Sequence, residues 1–437
     1  MGNSLAFLVI PVYTKTVAAL TSADTLIIFA QAPAGLGHLR VTDALYHGLP
    51  PGSHAVLLGS DDRNITFLHN LTTRNMELRR AVEYFETGEP QDLFAKVYRW
   101  WLGSHTGGLT LQFKTILDRH PTTPKTVVVV ATHFGLAHQF AAIKDAFQKK
   151  HNLRIYLFVV VTDDSPLHVW AVAGADAIVV PSEYTRQLLE AYHRRVRLTE
   201  SPYITLPYMV SGRLAAPLAP KDWESRRSQL APGGGASLHI AVPISGAAVQ
   251  LGYLRDVIEG LSVADRRCIF HIVSKISPAT KGFLANISTH KNVELFTSYA
   301  DREVVDLYEK LYEKEVIALE ITKPSEQAFK ALITPKRRGG AILLFSDPVG
   351  RQEQDNLNFL SRHGMLGDIG TPGDLTNATH WRAVRLPSDG KAAALAIKTA
   401  LSRGIFAAMA TLTSLPNHPE LASDGIAKFW KMVEQTI

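Results

Sequence analysis

The strongest constraint on how this chain folds is a rhythm. Short runs of β-branched and other apolar residues alternate with longer amphipathic stretches, the pattern of a parallel α/β sheet. In the first half the strand candidates are residues 25–30, 54–58, 126–130, 156–161 and 177–180, with helical patterns at 39–46, 136–149 and 183–193. The strand runs are continuously apolar, as in strands covered by helices on both faces. The stretch 65–117 is less regular and contains Tyr98-Arg99-Trp100-Trp101-Leu102, the densest aromatic cluster in the chain. A Pro- and Gly-rich break at 211–237 reads as a linker flanking a small helix. Strand runs then resume at 238–242, 268–273, 293–296, 316–319 and 341–345, with helices at 250–260, 301–312 and 352–362. The expected organisation is two doubly wound domains: an N-terminal one over 1–212, a linker over 213–236, a second domain over 237–392 and a helical tail over 393–437. A length of 437 residues fits this, at roughly two to three domains.

Composition narrows the function classes. Hydrophobic residues make up 46% and charged residues 20%, which sets disordered and fibrous classes aside. The net charge of +6 comes without long Lys/Arg runs, so a nucleic-acid partner is not expected. Cys268 is the single cysteine, which excludes a disulfide scaffold and a cysteine-based zinc cluster and suits a reducing compartment. No apolar run reaches the length of a spanning helix. The apolar segment at 5–10 lacks a preceding Lys or Arg and is cut by Pro11, so it makes a poor signal peptide. A cytoplasmic location is expected, with peripheral contact at the inner face of a membrane left open.

In open α/β domains ligands bind beyond the carboxyl ends of the strands, so the loops after the strand runs carry the candidates. Gly35-Leu36-Gly37-His38 follows the first run. The glycines allow a tight turn and His38 opens a helix, whose N-terminus suits a neutral imidazole base. Arg40 stands where a dinucleotide fingerprint needs its third glycine, so a nicotinamide site is not expected. His133 follows the third run, and Thr162-Asp163-Asp164 with His168 follows the fourth. Adjacent carboxylates on an extended chain point to opposite faces, so one that orients an imidazole is favoured over a metal pair. Ser182 reads as a helix N-cap with Thr185 in the first turn. In the second half Ser245-Gly246-Ala247 precedes a helix and offers backbone N–H groups to a phosphate. The loop lacks the Lys-Ser/Thr ending of a P-loop. Thr322-Lys323-Pro324-Ser325-Glu326 follows a strand, and Gln352, Glu353 and Asn356 cluster at a helix start.

Taken in order, these stretches resemble GT-B glycosyltransferases of the group that includes the peptidoglycan N-acetylglucosaminyltransferases, the monogalactosyldiacylglycerol synthases and the processive diacylglycerol glucosyltransferases. The resemblance rests on Gly35-Leu36-Gly37-His38, on Val160-Val161-Thr162-Asp163 with His168 and Trp170, and on Val180-Pro181-Ser182-Glu183. It continues at Thr322-Lys323-Pro324 and at the spacing of Pro348, Gln352 and Asn356. The departures lie in the second half. The family usually carries two glycines after Thr-Lys-Pro and a ribose-holding Glu further on, where this chain has Ser325-Glu326 and Ala331.

The resemblance implies two Rossmann-like domains facing across a cleft, and an inverting, metal-independent transfer from a UDP-sugar to a hydroxyl acceptor, lipid among the candidates. His38 would be the general base and Asp163 its orienting carboxylate. The donor would meet Ser245, Gly246, Ala247, Thr322, Lys323, Ser325, Glu326, Gln352, Glu353 and Asn356, and the acceptor side would hold Gly35, Gly37, His133 and His168. No cofactor and no metal ligand are expected. Two rival readings are a non-catalytic GT-B relative that binds a nucleotide or glycan, and a sugar-nucleotide epimerase of similar fold. Tyr98–Leu102 with Lys96 would be the membrane-docking segment, unless both Trp residues are core.

Overall fold

The computed structural model describes residues 19–31, 36–59, 88–369 and 375–437. Gly35 and the span 60–87 lie outside the described residues. The first sheet is built from β1 (Thr25–Gln31), β2 (Ala55–Gly59), β3 (Thr126–Ala131), β4 (Arg154–Val160), β5 (Ala177–Val180) and β6 (Tyr203–Thr205). All pairs are parallel, in the order β2-β1-β3-β4-β5-β6. Around it lie α1 (Leu36–His47), α2 (Gly88–Ser104), α3 (Gly107–Arg119), α4 (Phe134–His151) and α5 (Glu183–Arg195).

After the short α6 (Gly212–Ala215) and α7 (Pro220–Leu230), the second sheet uses β7 (Leu238–Pro243), β8 (Cys268–Lys275), β9 (Val293–Ser298), β10 (Leu319–Thr322), β11 (Ile342–Phe345), β12 (Leu366–Asp368) and β13 (Ala383–Arg385). Its order is β12-β13-β11-β10-β7-β8-β9, again parallel throughout. Its helices are α8 (Leu251–Ala264), α9 (Lys281–Ile287), α10 (Asp301–Lys314), α11 (Arg351–Arg362), α12 (Gly390–Ser402), α13 (Ile405–Met409) and α14 (Gly425–Thr436). These are two Rossmann-like domains, the GT-B arrangement that the resemblance implies.

Side-chain alternation along the strands sends residues into separate cores, as a sheet covered on both faces requires. Ile27 and Phe29 of β1 enter one core, Leu26, Ile28 and Ala30 another. The first of these cores does not stop at the domain boundary. It runs through Tyr208, Met209 and Val210 to Tyr308, Phe329, Leu343 and Phe359 of the second domain. The Tyr208 and Phe329 rings stack at 3.8 Å across that junction.

Several expectations shift. The strand read at 316–319 runs instead over Leu319–Thr322, because Leu319 is where pairing with both Ile240 and Ile342 begins. Glu320 therefore lies inside a buried strand, where Lys330, Tyr308 and Tyr312 satisfy one carboxylate oxygen. The stretch 88–119, read as irregular, is helical in α2 and α3. The span read as a linker is docked rather than loose: buried Arg226 of α7 donates to the carbonyls of Ile317, Pro335, Arg337 and Arg338. The boundary placed at 393 falls inside α12, whose Ala393, Ile397 and Leu401 pack in the second domain's core.

The last helix crosses back to the first domain. Trp430 of α14 meets Phe29 edge-to-face at 6.0 Å and donates to the Leu45 carbonyl at 3.1 Å. Trp430→Ala empties a buried site between α14 and β1 and should cost about 3–5 kcal/mol. The check is the urea midpoint with the slope held constant; an unshifted midpoint would show that α14 does not support the first domain.

Candidate functional site

A doubly wound sheet opens a crevice where the strand order reverses, between neighbours whose connections leave in opposite directions. In the first sheet that point lies between β1 and β3, and in the second between β7 and β10. His38 follows β1 and Thr132 follows β3; the loop at 245–248 follows β7 and the loop at 323–326 follows β10. Both reversal points therefore carry candidate residues.

His38 lies in the first turn of α1, and its Nδ1 stands 2.7 Å from the Thr132 carbonyl and 3.2 Å from the Thr162 hydroxyl. A carbonyl only accepts, so in the neutral ring Nδ1 carries the proton and Nε2 the lone pair. Thr42 holds this arrangement together: its hydroxyl donates to the His38 carbonyl and lies 2.7 Å from Thr132 Oγ1. Trp170, buried, brings its ring within 6.3 Å of the imidazole.

The Thr132 carbonyl thus holds the ring directly, and Asp163, expected as the orienting carboxylate, is linked to it through the Thr162 hydroxyl, which donates to Asp163 Oδ2 at 3.4 Å. Asp163 turns to the other domain, accepting from Asn356 Nδ2 at 3.0 Å. Its neighbour Asp164 takes different partners, accepting from Ser182, from Thr185 at 2.8 Å and, also on α11, from Arg362. Ser182 is the N-cap of α5, accepting from the Thr185 N–H at 3.1 Å.

Asn356 bridges the domains. Besides Asp163 it donates to the Pro324 carbonyl at 3.2 Å, and its Oδ1 accepts the Asp164 N–H at 3.0 Å. Ser165 donates to Asp355 at 2.7 Å alongside. Arg40 of α1 forms an ion pair with Glu326, and a Cβ on Gly37 would sit 2.9 Å from Glu326 Oε2, so a larger residue there would make the carboxylate shift. Burial works to raise the Glu326 pKa, but Arg40 and Lys323 together outweigh it and hold the carboxyl below its ordinary value. Lys323 in turn pairs with Glu353, which accepts the Val349 N–H at 2.7 Å.

On the β7 side, Gln250 at φ +59° precedes α8, donating to the Asp347 carbonyl at 2.8 Å and accepting from Ser346 at 2.7 Å. Ser245 Oγ is buried without a hydrogen-bond partner, while Gly246 and Ala247 are exposed. An unsatisfied hydroxyl at a strand end ahead of a helix N-terminus fits a phosphate oxygen.

The remaining candidates have other placements. Thr322 is buried at the end of β10, Ser325 precedes a 3-10 turn without capping it, and Gln352 is half-buried in the first turn of α11. His133 caps α4 by accepting the Gly135 N–H at 3.2 Å, though its ring lies 5.3 Å from that of His38. His168 points elsewhere, stacked on Tyr192 at 3.7 Å and 2.7 Å from Asp92. Arg40, Thr132, Asp355 and Arg362 belong to the site and were not singled out for it. Arg40 offered one signal, its place two residues after His38 on the same helix.

No protein-family model matches the chain, and no curated protein does. Among solved structures it is similar to the S. aureus MnaA–UDP co-structure, at 10% identity over 94% of this chain and 98% of the other, with a TM-score of 0.49. It is also similar to Arabidopsis thaliana UGT89C1 complexed with UDP-L-rhamnose, at 11% identity over 94% and 98%, TM-score 0.46. Acinetobacter baumannii MurG is similar at 10% identity over 94% and 99%, TM-score 0.44. At such distances the likeness says nothing about chemistry, and the site is read from its own residues.

Asp163 generates a pH signature. The protein packed around it pushes its carboxyl up to about 7, against the Asn356 hydrogen bond that pulls it down. A raised folded pKa means that the fold holds the proton better than the unfolded chain does. That stability is complete below about pH 4 and is lost as pH rises through 7. A displacement of this size corresponds to about 4 kcal/mol in a dry site, and residual solvent at a half-buried group reduces it to on the order of 1–3 kcal/mol. Asp163→Asn keeps an acceptor for Asn356 and needs no proton. It should match the wild type near pH 4 and be the more stable protein above pH 7, measured by thermal melts across that range; parallel curves would refute the assignment.

Proposed function

We propose that this protein is an inverting, metal-independent glycosyltransferase that moves a sugar from a nucleotide-sugar, a UDP-sugar by resemblance, to a hydroxyl acceptor. The observation that carries the reading is the pairing of the two reversal points: the helix that bears an oriented imidazole after β1 meets the loop after β10 across the domain junction, through Arg40 and Glu326. His38 Nε2 takes the acceptor proton as the acceptor oxygen bonds to the anomeric carbon. The bond from that carbon to the diphosphate breaks, and the diphosphate leaves with the electron pair. The N-terminus of α8, the 245–248 loop and Lys323 receive its charge. Glu326, Glu353 and Asn356 now satisfy protein partners; donor binding would exchange some of these for sugar or ribose hydroxyls, with Gln352 beside them.

A second reading has one observation of its own. Asp163, its carboxyl pushed by burial up to about 7, would give the junction a second group able to exchange a proton near neutral pH besides His38, as a sugar-nucleotide epimerase requires. The two readings separate on a donor incubated alone: an epimer appears by NMR only for the epimerase. For the transferase, His38→Ala should lower turnover about 100- to 10,000-fold with calorimetric donor affinity nearly unchanged. Near wild-type turnover would remove His38 from the base role.

The acceptor side adds a lipid surface. On α2, Leu93, Val97 and Trp100 are 64%, 53% and 71% exposed, spaced i, i+4 and i+7, and Leu111 of α3 is 67% exposed. Trp100 is therefore not core, whereas Trp101 is half-buried and stacked on Tyr98 and His105. Exposed Lys96 and Lys114 flank the stripe, the combination that docks on anionic lipid. No helix of the described residues is long and apolar enough to cross a membrane. The protein should co-sediment with phosphatidylserine-containing liposomes, less so as salt rises. Val97→Ser/Trp100→Ala should abolish that binding while staying folded. Absence of binding at low salt would leave a soluble acceptor as the better reading.

A further inference from the structure

Behind the domain junction, three segments far apart in the chain meet. His363 lies half-buried at the carboxyl end of α11. Its Nδ1–H donates to the Phe359 carbonyl at 2.9 Å, which leaves the lone pair of the neutral ring on Nε2. That Nε2 lies 3.3 Å from Glu420 Oε2. Glu420 is buried, and its other oxygen accepts the Glu183 N–H at the start of α5 at 2.8 Å. His418, exposed on the same loop, brings its ring edge-to-face with His363 at 4.9 Å. One ligand atom from each of the three residues lies within 4.8 Å of the other two.

We propose that His363, His418 and Glu420 form a zinc site that fastens the second domain to the chain segment leading into α14. Tetrahedral ligands about 2.0–2.1 Å from zinc stand roughly 3.3–3.4 Å from one another, which is the His363–Glu420 spacing. The carbonyl held by His363 Nδ1 and the backbone N–H held by Glu420 are the outer contacts that aim metal ligands. His418 has to draw inward, and only its long 3.3 Å contact from the Glu420 N–H is given up. Two imidazoles and one carboxylate select a borderline transition ion such as zinc over magnesium or calcium, and water completes the fourth position. The site takes no part in the reaction at His38. Its position says what it does: Arg362, the residue before His363, already reaches Asp164 of the first domain. A bound ion adds a second fastening beside that ion pair, so zinc holds the two domains together.

Calorimetric titration of the untagged, chelator-treated protein with zinc chloride tests this. The expected result is one ion per chain, a thermal midpoint that rises with zinc, and affinity at least roughly tenfold weaker in His418→Ala. His418 is exposed, so that variant should fold as the wild type does. Glu420→Gln retains an acceptor for the Glu183 N–H and should weaken binding similarly. Cobalt in place of zinc should give the visible absorption of a tetrahedral ion, lost in both variants. The proposal is overturned if zinc does not bind, or if it binds all three proteins alike. Either outcome would leave His363 and Glu420 as an ordinary ion pair.

Discussion

The Arg40–Glu326 ion pair joins the two domains at the point where both must be correctly placed. Arg40 comes from α1, two residues after His38, and Glu326 from the loop after β10. Gly37 leaves room beside the carboxylate, since a Cβ there would sit 2.9 Å from Glu326 Oε2. A nearly buried ion pair adds little net stability, since desolvation offsets most of the attraction, but losing one partner strands the other charge. The pair therefore acts chiefly on geometry. It ties the register of α1, and with it His38, to the loop after β10.

Behind Glu326 the same logic repeats in a drier setting. Arg40 stacks over the Tyr308 ring at 4.8 Å. Tyr308, Tyr312 and Lys330 all converge on Glu320 Oε2 inside the second domain's wall. Burial lowers the pKa of Lys330, and Glu320 opposes that shift. Three donors on one buried oxygen hold these side chains in a single arrangement, although Glu320 Oε1 is left without a partner. This network fixes the short 3-10 segment at 326–332, and so the position of Glu326. Asn356 does the corresponding work on the other side of the junction, holding Asp163, the Asp164 backbone and Pro324 together. Because one apolar core runs through both domains, these polar contacts sit on a continuous floor rather than across an open hinge.

The α/β class, the order of the strands along the chain and most strand positions were legible in the sequence. Hydrophobic period and Gly/Pro punctuation are local properties, and buried parallel strands write them plainly. His38, Glu326 and Asn356 were legible as candidates because they fall in the loops and first helical turns that follow buried strands, where open α/β sheets bind ligands. The two aspartates take separate partners, but they lie in a bend beyond β4 and both reach α11, which strand geometry alone does not give. Residues 316–322 were misread because a glutamate inside a strand looks like its end until Lys330, Tyr308 and Tyr312 are known to surround it. The three-residue strands β6, β12 and β13 are too short to show a period.

What only the tertiary structure decided is partnership. Nothing local says that the Thr132 carbonyl holds His38, that Arg40 reaches Glu326, or that His363 meets Glu420. Each contact joins residues dozens to hundreds of positions apart, and each depends on which strands become neighbours and how the two domains abut. Exposure was decided at the same level. The sequence marks Trp100 and Trp101 as one aromatic cluster; the packing of α2 turns Trp100 outward and Trp101 partly inward. Local chemistry thus determined which residues were worth watching, and long-range packing determined what each of them touches, because burial and partnership are properties of the assembled sheets and not of any segment alone.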